Sequence, residues 1–224
     1  YAKAAAAYEQ ALRLSAGGKQ LADDVLVAEM YNSLGHCYCK QGAYEKAVKN
    51  GKEAIGHNRN FAEAYCNRGY AYYKWGKLPE AIADLQKAIA LDSKPVYWHY
   101  VLGMALLAKD DRGGAGAQFA LCAQKDNVPA SYSMEMGIIC LNMGKYDSAY
   151  SYCRKAFESD STNGYAAYYT AVALSVQGKA EESMPWFEQA FRRKIPGHSE
   201  LKKERLLANI RRNGKFRELL NKYY

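Results

Sequence analysis

Glycine recurs in this chain with a fixed step: Gly35, Gly69, Gly103 and Gly137 stand 34 residues apart, and the next step lands on Ala171. Other columns keep the same step. Ala47, Ala81, Ala115, Ala149 and Ser183 are all small, as are Ala54, Ala88, Cys122, Ala156 and Ala190. Tyr38, Tyr72, Leu106, Cys140 and Leu174 form a mostly large, apolar column, and Gly42, Gly76, Asp110, Gly144 and Gly178 form a turn column. A period in this range marks a chain built from stacked supersecondary units. The columns predict two helices of about a dozen residues per unit, packed antiparallel, because the small residues let helices approach and the large ones fill the space around the crossing. The turn glycine supplies the left-handed conformation that ends the first helix. One such hairpin cannot bury its apolar face alone, so neighbours must stack into a continuous core.

The segments YNSLGHCY, YCNRGYAY and YVLGMALL in first helices, and AYEKAVKN, PEAIADLQKAI and MPWFEQAF in second helices, resemble the tetratricopeptide repeat, a 34-residue unit with large, Leu-Gly, Tyr, Ala and Phe landmarks. The expected fold is all-α: a right-handed superhelical solenoid of antiparallel helix-turn-helix repeats with C-terminal capping helices. Residues 1–14 read as the second helix of a truncated leading repeat, with Ala4, Tyr8 and Ala11 in the spacing of Ser183, Phe187 and Ala190. Further sequence is therefore expected before residue 1. Residues 15–22 read as an insertion, and 23–197 hold five repeats at about 28–61, 62–95, 96–129, 130–163 and 164–197. Residues 198–224 read as a basic capping pair, with Ser199 as a helix N-cap and the 34-residue pattern dissolving after Pro196.

Some positions depart from the pattern. Gly51 replaces a large residue, leaving a hole that a neighbouring tyrosine is expected to fill. Arg68 and Thr170 interrupt the apolar column before the glycine. Gly113, Gly114 and Gly116 open one second helix, and each interior glycine costs roughly 1 kcal/mol against alanine, which makes this the weakest unit and a candidate hinge.

In the family the first helices line a concave, peptide-gripping side. The resemblance carries that role to Asn32, His36, Asn67, Tyr70, Tyr73, Lys74, Tyr97, Tyr100, Met104, Met134, Ile138, Tyr165, Tyr168 and Val172. The first two units contribute a polar stretch that also holds Glu29, Lys40 and Glu63. The later ones contribute rings and methionines, which bury much area at little entropic cost. Five first helices about 9 Å apart would span roughly 36 Å, enough for an extended peptide of about 11 residues or a bound helix. The alternative is that these residues pack on one another or beneath the C-terminal helices. The family's clamp for acidic chaperone tails is missing: Asn67 matches one of its places, but His36, Tyr97 and Val101 stand where its asparagine and basic pair would be.

Charge gives the rival reading. From Arg192 onward there are 11 Lys or Arg against 3 Asp or Glu, which accounts for the whole formal charge of +8. A basic patch of Arg192, Arg193, Lys202, Lys203, Arg211 and Arg212 could meet nucleic acid or an anionic surface, or be the solvated face of a cap. A self-assembling scaffold is the third reading. The four histidines have no Ser or Cys partner in a recognisable catalytic arrangement, and GGAG at 113–116 lacks the Lys-Ser or Lys-Thr of a phosphate loop. No enzymatic activity, cofactor or metal is expected. The 6 cysteines have no regular pair spacing, which fits a reducing compartment, with the cytoplasm as the expected location. The expected function is a protein-interaction scaffold or adaptor.

Overall fold

The computed structural model describes residues 1–17, 23–123, 130–197, 201 and 205–224. Lys202, Lys203, Ser199 and most of the 15–22 segment lie outside these described residues. Among them every regular element is helical. First helices are α2 (Asp24–Lys40), α4 (Ala62–Lys74), α6 (Val96–Ala108), α8 (Ala130–Asn142) and α10 (Gly164–Val176). Each precedes its second helix: α3 (Tyr44–His57), α5 (Leu78–Leu91), α7 (Arg112–Ala123), α9 (Tyr146–Ser159) and α11 (Ala180–Arg192). Helix α1 (Ala2–Gly17) precedes them; a 3₁₀ turn (Arg205–Leu207) and α12 (Gly214–Tyr223) follow.

The chain divides into two compact units, Tyr1–Gln118 and Phe119–Tyr224, and the boundary falls inside the glycine-bearing helix α7. In the first unit α2 packs on α3 and α4 on α5. The second helices α3 and α5 also pack on the following first helices, α4 and α6, while α4 adjoins both α2 and α6. The second unit repeats the scheme with α8 on α9, α9 on α10 and α10 on α11, and α12 closes on α11. This is an all-α array of antiparallel helix-turn-helix repeats in both units.

The turn column adopts the left-handed backbone throughout: φ is +75° at Gly42, +80° at Gly76, +72° at Gly144 and +80° at Gly178, and Asp110 takes the same conformation at +65°. The small columns mark the tight crossings. A Cβ added to Gly69 would stand 2.9 Å from Leu85 Cγ and 3.2 Å from the Ala81 carbonyl oxygen, so any larger residue there pushes α4 off α5. The cysteines are all free and buried. Burial raises the Cys66 and Cys153 thiols well above their ordinary value and Cys140 to about 12, so they stay protonated and pack as small hydrophobes.

Two departures from the repeat pattern explain each other. The space beside Gly51 is taken by the aliphatic stem of Arg68, since a Cβ on Gly51 would lie 2.9 Å from Arg68 Cβ and 3.0 Å from its Cγ. The expected tyrosine is not the filler. The same Arg68 donates two hydrogen bonds to Asp84, Nε to Oδ2 at 2.6 Å and Nη2 to Oδ1 at 2.7 Å. Burial alone would lower the Arg68 pKa, but the Asp84 hydrogen bond and charge outweigh it and raise the value. Thr170, the other interruption, donates to the Ala166 carbonyl at 2.7 Å within its own helix and so leaves no unpaired hydroxyl in the core.

At the N-terminus, α1 docks through Ala5, Tyr8 and Leu12 on Leu34, Cys37 and Tyr38. Ala5 is the buried alanine and Ala4 is exposed, one residue off the expected register. At the other end the residue signature stops at Pro196 but the spacing does not. Second helices begin at Tyr44, Leu78, Arg112, Tyr146 and Ala180, each 34 residues after the last, and α12 begins at Gly214, one further step along. Contacts across that end keep the same interval: Asn209 with the Ser175 carbonyl, Lys215 with Glu181, and Lys222 with Glu188. Among the described residues no helix is long and apolar enough to cross a membrane.

Candidate functional site

In the first unit the positions six and three before and one and four after each glycine fall on one face of the first helices, because successive offsets differ by about one helical turn. On α4 and α6 this face carries Tyr70, Tyr73, Tyr97, Tyr100 and Met104, all half-buried. The Tyr70 ring centroid lies 6.4 Å from Tyr73 and 6.3 Å from Tyr97, within the range for favourable ring pairing. The Lys40 ammonium sits 5.8 Å from the Tyr70 centroid, and Lys74 is exposed at the same end of the neighbouring helix. The rings rest on the α4–α6 core of Cys66, Trp98, Val101 and Leu102, which holds them as a platform and leaves part of each in solvent.

Towards the N-terminal ends of α2 and α4 the face turns polar. Asn67 Nδ2 donates to Asn32 Oδ1 at 2.9 Å, and Asn32 Nδ2 donates to Glu63 Oε1 at 3.4 Å. Asn32 is only 6% exposed, so it braces the wall and presents little surface of its own. His36 beside it is half-buried. Burial, and after it the Lys40 charge, hold its pKa below the ordinary 6.5 while Glu63 pulls weakly upward. A histidine with a lowered folded value makes the unfolded chain the better proton binder near pH 6. The first unit therefore loses stability as pH falls through about 6.5, the loss levelling off below the folded value. An NMR titration should place the His36 midpoint below about 6.5; a midpoint above it would contradict the buried setting.

Helix α1 turns this polar end into a recess. Tyr1, Ala4 and Tyr8 join Asn32, Ser33, His36, Cys37, Glu63 and Asn67 around a cavity of about 330 Å³, with the Tyr1 ring set edge-on to His36 at 6.2 Å. The contribution of α1 was not among the expected site residues. Of its lining residues, Ala4 and Tyr8 are expected from sequence only as packing positions of the leading repeat.

The second unit corrects part of the expected face. Tyr168 is 2% exposed and Val172 1%, so neither presents a surface to a ligand. The reason is the crowding of α10, which is enclosed by α8, α9, α11 and the Arg205–Leu207 turn. Tyr168 packs edge-on against Phe187, with centroids 6.2 Å apart, and the terminal segment reaches the end of α10 where Asn209 donates to the Ser175 carbonyl. Met134 and Ile138 are half-buried, and Tyr165 is exposed and stacked 6.5 Å from Tyr169.

Much of the basic tail is engaged internally. Arg192 lies 3.7 Å from Glu188, and Arg193 donates to the Gln189 and Ser161 carbonyls at 2.7 and 2.9 Å. Arg211 donates to the Leu201 carbonyl at 3.4 Å, and Lys215 and Lys222 pair with Glu181 and Glu188. Arg212 is exposed.

Comparison with known proteins agrees with this architecture. Tetratricopeptide repeat family models match residues 62–95 and 130–163, and a TPR repeat model matches 35–76. Hsp70-Hsp90 organizing protein 3 of Arabidopsis thaliana is 42% identical over 69 residues, 31% of this chain but 12% of that protein. Protein unc-45 homolog B of Xenopus tropicalis is 31% identical over 94 residues, 42% of this chain and 10% of that protein. The chain thus spans about a tenth of the length of these curated relatives. Among solved structures, YrrB, described as a TPR protein with an unusual peptide-binding site, superposes with a TM-score of 0.64 at 19% identity, covering 89% of this chain and 100% of that one. MamA does so at 0.60 and 21% identity, covering 80% and 96%. At such identities the likeness is one of fold. With a 34-residue period in sequence, paired helices in the same period and three family matches along the chain, this protein is built of tetratricopeptide repeats.

Proposed function

We propose that the chain is a protein-interaction adaptor whose first-helix face in the N-terminal unit grips a peptide or helix of a partner protein. The observation that carries this reading is the platform of Tyr70, Tyr73, Tyr97 and Tyr100, half-buried on a rigid core and continuous over two adjoining helices. Rings fixed from beneath lose little further entropy on binding, which is why aromatic anchors dominate interface energetics. The relatives named Hsp70-Hsp90 organizing proteins, and the solved structure described by its peptide-binding site, are in keeping with an adaptor. Because the acidic-tail clamp is absent from the matching positions, the partner is not assigned to chaperone tails. Met134, Ile138 and Tyr165 give the second unit a smaller half-exposed face of its own, and the internally paired tail makes a nucleic-acid surface the weaker reading.

Cross-linked capture from cell extract with the wild type and with Tyr73→Ala plus Tyr100→Ala tests the reading. Truncating two central anchors should weaken a specific partner about thirtyfold or more, with the helical circular dichroism signal retained. An unchanged partner list from a folded double variant would remove the tyrosine face from consideration.

A further inference from the structure

The recess closed by α1 has a sign. Glu63 is the lining side chain that carries a formal charge, and burial and Lys40 lower the pKa of the neighbouring His36. The Lys40 ammonium itself is directed over the Tyr70 ring, 5.8 Å from its centroid, and does not line the cavity. Around Glu63 stand the amides of Asn32 and Asn67, locked to each other at 2.9 Å, and the rings of Tyr1 and Tyr8. A carboxylate placed here would meet Glu63 without a compensating cation. An apolar side chain would strip water from Glu63 and the amides and give nothing back. A cationic side chain meets a carboxylate, amide oxygens and electron-rich ring faces, each favourable to positive charge.

We infer that this recess receives an arginine or lysine side chain of the bound partner, with Glu63 as counter-ion and Asn32, Asn67 and the two tyrosines as its walls. The inference rests on the adaptor reading and adds to it the charge of the residue recognised. It also gives the face a direction, since the cation must sit at the α1 end and the partner's apolar residues over Tyr70, Tyr73 and Tyr97.

The test uses N-acetyl-arginine amide as probe, with N-acetyl-glutamate amide as its opposite, followed by the side-chain amide resonances of Asn32 and Asn67. The arginine probe should shift both resonances saturably in the millimolar range, and the glutamate probe should not. Glu63→Gln, at an exposed position, should weaken the arginine probe about tenfold or more, while Glu188→Gln, in the second unit, should leave it unchanged. Silence of both resonances towards arginine, equal response to glutamate, or undiminished binding by Glu63→Gln would each overturn the inference. The two readings fail separately. A partner released by Tyr73→Ala plus Tyr100→Ala from a protein that ignores arginine refutes the cation recess alone. An arginine response in a protein whose partners ignore those tyrosines refutes the tyrosine face alone.

Discussion

Asp84→Ala is expected to destabilise the N-terminal unit by about 3–5 kcal/mol, the usual cost of leaving one partner of a buried ion pair uncompensated. The side chains of Arg68 and Asp84 are 16% and 11% exposed, so water screens them poorly. Arg68 cannot simply swing out to solvent. Its stem occupies the space beside Gly51 and its guanidinium stands 5.6 Å from the Tyr65 ring centroid. Moving it would open a cavity between α3 and α4 as well as breaking the pair. The cause is separable from the symptom. Arg68→Leu combined with Asp84→Ala removes both charges and keeps a large apolar group against Gly51, so it should recover more than half of the lost stability. Urea unfolding of the wild type, the single and the double variant measures this. A double variant as unstable as Asp84→Ala would show that packing, and not the stranded charge, sets the cost.

That arrangement also shows where sequence reading reached its limit. The period, the helix pairing and the turn column were legible because each depends on a single residue's size or backbone freedom: a glycine at a close crossing, a left-handed turn after each first helix. Even Asp110, the non-glycine of the turn column, followed its column into the left-handed region. Gly51 and Arg68 looked like two independent defects because their compensation crosses from one repeat to the next, and a column of one-letter codes does not show which neighbour's stem reaches into a hole. The burial of Tyr168 and Val172 escaped for a related reason. Their offsets place them on the same helix face as Tyr100 and Met104, but α10 is additionally covered near Ser175 by a terminal segment whose residues no longer match the repeat. The helix spacing past Pro196 outlived the residue signature: Arg205 stands in the glycine column and Arg217 in the small column of Ala47. Glu63 is one polar residue among several in the sequence, and only the packing of α1 against α2 sets it on the rim of a recess.

Phe216→Ala should release α12 from the second unit, whereas removing the ion pairs that visibly tie α12 down should not. Phe216 is the buried residue of this helix. Its ring lies 4.9 Å from Phe187 and 5.8 Å from Phe191, and Phe187 in turn packs on Tyr168. Truncating such a ring costs about 3–5 kcal/mol. A ten-residue helix cannot survive alone in water, so α12 persists only while docked, and its Asn213 cap, which accepts from the Phe216 N–H at 3.1 Å, adds too little to change that. The pairs Lys215–Glu181 and Lys222–Glu188 lie in solvent, where screening and side-chain entropy cancel most of their attraction. Glu188→Gln, which removes the shared partner of Lys222, Tyr223 and Arg192, should leave α12 docked, and so should 1 M salt. Amide hydrogen exchange over Gly214–Tyr223 separates the cases: rapid exchange in Phe216→Ala with near-native protection in Glu188→Gln is the expected pair of results. Equal loss of protection in both would mean that the surface charges hold this end of the array, and the aromatic cluster running from Tyr168 through Phe187 to Phe216 would no longer account for the burial of α10's inner residues.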